Sequence, residues 1–196
     1  MIKVGVTGGI GSGKSLICEI FNHLSIPVFN ADTEAKLIIN SDKDVIDQIK
    51  QAFGNDIYHK NKLKKDVLAK IIFNDSKALT RINSIVHPKV REYFHDWAEK
   101  QQSKYVIEEA AILFESNAYL DLDYIINVHA NKQSRIERVI KRDNISKEEV
   151  LSRMQNQLCD EKRMKLADFT IYNDNDRMIL PQVIDIHQKI LSKGEI

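Results

Sequence analysis

Eight residues near the start of the chain, Gly8-Gly9-Ile10-Gly11-Ser12-Gly13-Lys14-Ser15, constrain the fold more than any other feature. They match in full the pattern of a glycine, four residues of any type, then Gly-Lys-Ser/Thr. The chain has only 7 glycines, and Gly8, Gly9, Gly11 and Gly13 all stand here. Glycine tolerates positive φ, so this concentration marks a backbone that other residues do not readily adopt. Ile2, Val4 and Val6 before the loop predict a strand, and Leu16, Ile17, Ile20, Phe21 and Leu24 after it predict a helix with one apolar face. A glycine loop between a strand and a helix turns successive N–H groups into one concavity, and the helix dipole adds positive potential there. Hydrogen bonds to a charged group contribute about 1.5–3 kcal/mol each, so several converging amides select a polyphosphate.

The motif assigns parts. Lys14 reaches the β- and γ-phosphates, and the Ser15 hydroxyl ligates Mg²⁺. The triphosphate-binding set is Gly9, Gly11, Ser12, Gly13, Lys14, Ser15 and Leu16. The loop says only that a nucleoside triphosphate binds with Mg²⁺; it says nothing of what receives the phosphate.

The rest of the chain reads as an α/β protein. Short apolar runs alternate with long stretches of helical period, the βαβ pattern of a parallel sheet. Strands are expected at Ile2–Thr7, Pro27–Asn30, Lys104–Glu109, Tyr124–Ala130 and Phe169–Tyr172. Helices are expected over 14–24, 32–40, 43–53, 64–73, 76–86, 89–101, 132–143, 146–157 and 176–192, with Pro88 breaking or kinking the run between Ser76 and Gln101. The stretch between the second and third strands is far longer than a simple crossover. It predicts one domain over 1–196 carrying a helical insert at about 41–101. The Arg- and Lys-rich stretch at about 131–167 reads as a lid.

Composition excludes several classes. Twenty-nine Lys and Arg against 28 Asp and Glu leave a net charge of +1, which disfavours a nucleic-acid coat or a polybasic membrane binder. No apolar run approaches the roughly 18 residues of a membrane span, and the opening MIKVGVTGG lacks the marks of a signal peptide. Cys18 and Cys159 have no metal-like spacing. A cytoplasmic protein is expected; the oligomeric state is not legible.

On the acceptor side, Asp32 stands just past the second strand, where ligand groups gather in parallel sheets. It fits two roles, a base for an acceptor hydroxyl and the cap of the following helix. Glu108 and Glu109 end the third strand and fit either outer-sphere metal contact or substrate positioning. Arg135, Arg138 and Arg142 share one helical face, with Arg153 and Arg163 following in the same stretch. Such a stripe is either a solvated face or a set of guanidinium groups closing on phosphate, and the phosphate loop favours the second reading for Arg142. His87 precedes Pro88, and the basic run at 59–65 reads as a solvated loop.

Taken in order, Val4 through Ser15, Asn30-Ala31-Asp32, His87-Pro88-Lys89-Val90, Leu113-Phe114-Glu115, Arg142-Asp143, Arg153 through Gln157, Ala167-Asp168 and Asn173 resemble the dephospho-CoA kinase family over nearly the whole chain. The resemblance implies a three-layer P-loop kinase core on a five-stranded parallel sheet, a helical acceptor-binding insert and a lid. It implies ATP-dependent phosphorylation of the ribose 3′-hydroxyl of dephospho-CoA, the last step of coenzyme A biosynthesis. Asp32 then takes the catalytic carboxylate's position, Arg142 lies near ATP phosphates, and His87 and Glu109 join Asp32 on the acceptor side. The sequence departs from the family pattern at Asn30, Glu109, Ala111, Arg163 and Tyr172. Another small P-loop kinase of nucleotides or nucleosides shares the loop; a nucleotide-dependent switch would carry an Asp-x-x-Gly element, which the chain lacks.

Overall fold

A computed structural model describes residues 1–60, 62–174 and 176–193, with 73, 74 and 76 described by backbone alone. The strands are β1 (Ile2–Thr7), β2 (Val28–Asn30), β3 (Tyr58–His59), β4 (Lys62–Leu63), β5 (Tyr105–Glu109), β6 (Tyr124–His129) and β7 (Phe169–Tyr172). The α-helices are α1 (Lys14–His23), α2 (Ala31–Ser41), α3 (Lys43–Phe53), α4 (Lys65–Asn74), α5 (Ser76–Glu99), α6 (Lys132–Asp143), α7 (Lys147–Gln155), α8 (Asp160–Leu166) and α9 (Ile179–Lys193). The chain divides into two compact units, one of Met1–Asn30 with Lys100–Ile196, the other of Ala31–Glu99.

The first unit is built on a five-stranded parallel sheet in the order β2-β5-β1-β6-β7. The strand carrying the phosphate loop is therefore central, with β5 on one side and β6 on the other. All five expected strands are present. Val4, Val6, Ile107, Ile126, Val128 and Ile171 form one core with Ile17 and Phe21 of α1 and Val183, Ile186 and Ile190 of α9. Across the sheet, Leu113 and Leu122 close on Gly5, where a Cβ would meet their methyl groups at 2.6 and 2.7 Å. Parallel strands covered on both faces have to be nearly all apolar, as Tyr105-Val106-Ile107 and Ile125-Ile126 are.

Cys18 lies in this core, 3% exposed. Burial pushes its thiol up strongly, and the nearby Glu109 carboxylate adds to the rise. Cys159 is exposed.

The second unit corrects two expectations. Helix α5 runs unbroken through Pro88. Ala78, Ile82, Val86, Val90, Phe94 and Ala98 are all buried at a spacing of four, so one packed stripe extends to both sides of the proline. Ser84, whose carbonyl loses its partner N–H to Pro88, is exposed, as is Pro88, so water can take that carbonyl. The basic run at 59–65 is not simply a loop: β3 and β4 pair antiparallel within it. Tyr58 donates to the Ile39 carbonyl at 2.7 Å, and Leu63 N–H donates to Asn40 Oδ1 at 2.9 Å, tying this hairpin to α2. A third difference lies in the first unit. The helix expected over 146–157 stops at Gln155, and α8 follows as a separate helix.

Burial of Cys18 makes a direct prediction. In the native protein one thiol, Cys159, reacts rapidly with an aromatic disulfide reagent at pH 8, and both react after denaturation. Two fast thiols in the native state would contradict the packing of α1 on the sheet.

Candidate active site

Residues 8–13 leave the end of β1 and deliver the chain into α1 at Lys14. Gly11 and Gly13 hold φ of 78° and 95°, values at which a side chain is strained. Side chains from distant parts of the chain pin the loop. Asn173, at the end of β7, donates its amide to the Ser12 carbonyl at 2.8 Å in a buried contact. The Ile10 N–H donates to Gln157 Oε1 at 2.8 Å, and Gln157 in turn donates to the Ala111 carbonyl at 3.2 Å. Arg138 donates to the Asn173 carbonyl at 3.0 Å and lies 3.5 Å from that of Gly11. Ser12 itself is buried, and its hydroxyl has no partner among the described residues. Lys14 Nζ donates to the Gly8 carbonyl at 3.0 Å, so the ammonium folds back over the loop.

A carboxylate stands beside the loop. Glu109 closes β5 and is 7% exposed. It accepts from the Ser15 hydroxyl at 3.0 Å and from the Asn30 amide at 2.8 Å. Register explains the meeting: Val6 of β1 and Asn30 of β2 both pair with Glu109. A hydroxyl against a buried carboxylate suits a hard cation that keeps several waters and takes its remaining oxygens from phosphate. Among the described residues no group of three or more His, Cys, Asp and Glu makes an all-protein metal cage.

The arginine stripe separates into distinct environments. Arg142 has a side chain 63% exposed and grips the neighbouring Asp143 with two bonds, at 2.7 and 3.1 Å. Arg153 reaches the same carboxylate at 3.0 Å. Arg135 and Arg163 are buried instead, 5% and 3% exposed, and a Cβ on Gly9 would overlap the Arg135 guanidinium. Burial lowers the Arg135 pKa, Asp160 opposes that, and Arg163 adds to it. The sequence singled out Arg142 from the stripe, whereas Arg135, Arg138 and Arg163 lie against the loop or its supports.

In the second unit, Asp32 is exposed in the first turn of α2. It is the second residue of the helix, after Ala31. His87 is half-buried on α5, and burial, reinforced by the Arg91 charge, lowers its pKa. Leu16 is 45% exposed in the first turn of α1.

Comparison with known proteins decides the family. A family profile described as dephospho-CoA kinase matches residues 2–178. The chain belongs to the dephospho-CoA kinase family. It is 34% identical over 194 residues to the dephospho-CoA kinase of Bacteroides fragilis, covering 96% of this chain and 95% of that one. It is 37% identical over 203 residues to the enzyme of Chlorobaculum tepidum, covering 99% and 97%. The solved dephospho-CoA kinase from Campylobacter jejuni superposes with a TM-score of 0.71 at 28% identity, over 99% of this chain and 98% of that one. The five-stranded parallel sheet flanked by helices is accordingly a P-loop kinase core.

The loop geometry sets a test. Gly13→Ala forces a side chain into positive φ, at about 1–2 kcal/mol, and drives its Cβ against the Asn173 amide. Calorimetry is expected to show a large loss of ATP affinity in a protein that still folds. Unchanged affinity would mean that the backbone there is not the phosphate cradle.

Proposed function

We propose that this chain transfers the γ-phosphoryl group of ATP to the ribose 3′-hydroxyl of dephospho-CoA, giving coenzyme A in the last step of its biosynthesis. Membership of the family supports the substrate pair. The observation that carries the reading is the pinned loop with Lys14 over it and the Ser15–Glu109 pair beside it.

The loop amides from Gly9 to Leu16 hold the triphosphate, and Lys14 exchanges its bond to Gly8 for phosphate oxygens as charge develops on them. Ser15 would ligate Mg²⁺ directly, with Glu109 behind it; the ion would neutralise the β- and γ-phosphates. Asn30 spends its amide on Glu109 and so fixes that carboxylate. Asp32 follows Asn30 by two residues and would orient the acceptor hydroxyl and take its proton. Family membership supports an acceptor-side role for His87 and, separately, for Glu109, and most of the acceptor-binding insert at about 41–101 falls in the unit Ala31–Glu99. The 131–167 stretch acts as the lid, where Arg142 would leave Asp143 for a phosphate oxygen when the lid closes. Closure excludes water, which limits loss of ATP to hydrolysis. Both substrates are water-soluble anions, which supports a cytoplasmic reaction. Among the described residues no helix is long and apolar enough to cross a membrane.

A substrate panel read by ADP release tests the assignment. Turnover is expected with dephospho-CoA and not with nucleoside monophosphates, and the reverse pattern would replace the proposed acceptor. Asp32→Asn is expected to lower kcat by about 10²–10⁴-fold, the usual worth of a positioned base, with little change in ATP affinity. Near-normal turnover would remove Asp32 from that role. Lys14→Ala is expected to lose phosphoryl transfer almost completely, and wild-type kinetics would take Lys14 off the phosphates.

A further inference from the structure

Asp160 opens α8 and gives one oxygen to each of two buried arginines. Its Oδ2 accepts from Arg135 Nη2 at 2.7 Å, and its Oδ1 accepts from Arg163 Nη2. Arg163 also donates to the Leu158 carbonyl. Both guanidinium groups bear on Gly9 of the phosphate loop, where an added Cβ would meet Arg135 first and Arg163 at 2.8 Å. A cavity of about 480 Å³ opens on this group, with Lys132 as a third cation and Leu151 and Met154 as its apolar wall.

The cavity lining is short of negative charge. Lys132, Arg135 and Arg163 line it beside one carboxylate, Asp160, while Asp174 adds negative charge toward Arg135 from outside the lining. A guanidinium carries five donors, and the Arg135 Nε is buried with no partner among the described residues. Asp160 differs from its partners in one respect: its side chain is 32% exposed, against 6% and 3% for Arg135 and Arg163. The carboxylate can therefore exchange the arginines for water, while the arginines have no such outlet. A phosphoryl group brings more oxygens and more charge than a carboxylate, and suits two planar forks better.

We infer that Arg135 and Arg163 form an oxyanion site at Gly9 for the terminal phosphoryl group of a polyphosphate held on the loop, and that Asp160 fills this site until that group displaces it. The inference rests on the proposed phosphate loop. The polyphosphate, rather than the phosphates of the acceptor, is the ligand because Gly9 belongs to the loop itself. Asp160 is a positioning residue: it seats the guanidinium groups before the ligand arrives, and it competes with the ligand for them.

Calorimetric titration of the full chain with tripolyphosphate and Mg²⁺, without acceptor, tests this. Arg135→Gln removes a charged donor and is expected to weaken binding roughly 10-fold. Asp160→Asn removes the competing charge and is expected to tighten binding roughly 3-fold or more. The double variant is expected to lose that tightening. A merely structural clasp predicts the opposite sign for Asp160→Asn, so equal or weaker binding in that variant overturns the inference, even if Arg135→Gln does not fold. Unchanged affinity in Arg135→Gln, with a raised KM for dephospho-CoA, also overturns it and gives the arginines to the acceptor. No binding by the unaltered chain overturns the loop reading and this inference with it.

Discussion

Convergence of backbone N–H groups on an anion is the interaction on which the rest of the structure depends. A flexible glycine loop would lose that advantage to conformational entropy, since ordering each residue costs about 1–2 kcal/mol. The chain meets this cost before any ligand binds. Asn173, Gln157 and Arg138 reach residues 10–12 from three separate parts of the chain, and Lys14 closes on Gly8 from within. Donors fixed in advance stabilise developing charge without reorganising during the reaction.

The parallel sheet supplies the second requirement, a carboxylate near the loop that does not occupy it. Because β5 lies between β2 and β1, the ends of those strands bring Asn30, Glu109 and Val6 into one row. Glu109 is long enough to reach the Ser15 hydroxyl from that row, and Asn30 holds its other oxygen. The same geometry buries Cys18 beside the Glu109 carboxylate, which keeps its thiol protonated against the opposing charge of Lys14. Strand order thus produces both the binding row and an inert cysteine.

Legibility in the sequence followed the range of the interaction. The loop, its strand and its helix were readable because their determinants lie within a few residues, and the five sheet strands were readable from short apolar runs. The break expected at Pro88 is absent because a local rule, the missing N–H, competes with a buried stripe extending from Ala78 to Ala98 whose partners lie elsewhere in the fold. Gln157 and Asn173 stand 147 and 161 residues from their loop partners, so nothing local marked them as supports. The arginines of α6 were visible as a stripe, but only the packed structure separates exposed Arg142 from buried Arg135. One further signal was present and unused: Asp160 stands three residues before Arg163, a spacing that favours an ion pair on a helix.

The account comes down to one transfer, from a loop-bound triphosphate to a ribose hydroxyl. Incubation with ATP labelled with heavy oxygen on the γ-phosphoryl group, Mg²⁺ and dephospho-CoA, followed by mass and fragment analysis, follows that group directly. The account predicts one labelled phosphoryl group on the ribose 3′-oxygen, with the bridging oxygen contributed by the acceptor. Label recovered only in inorganic phosphate, or on another position of the acceptor, would contradict it.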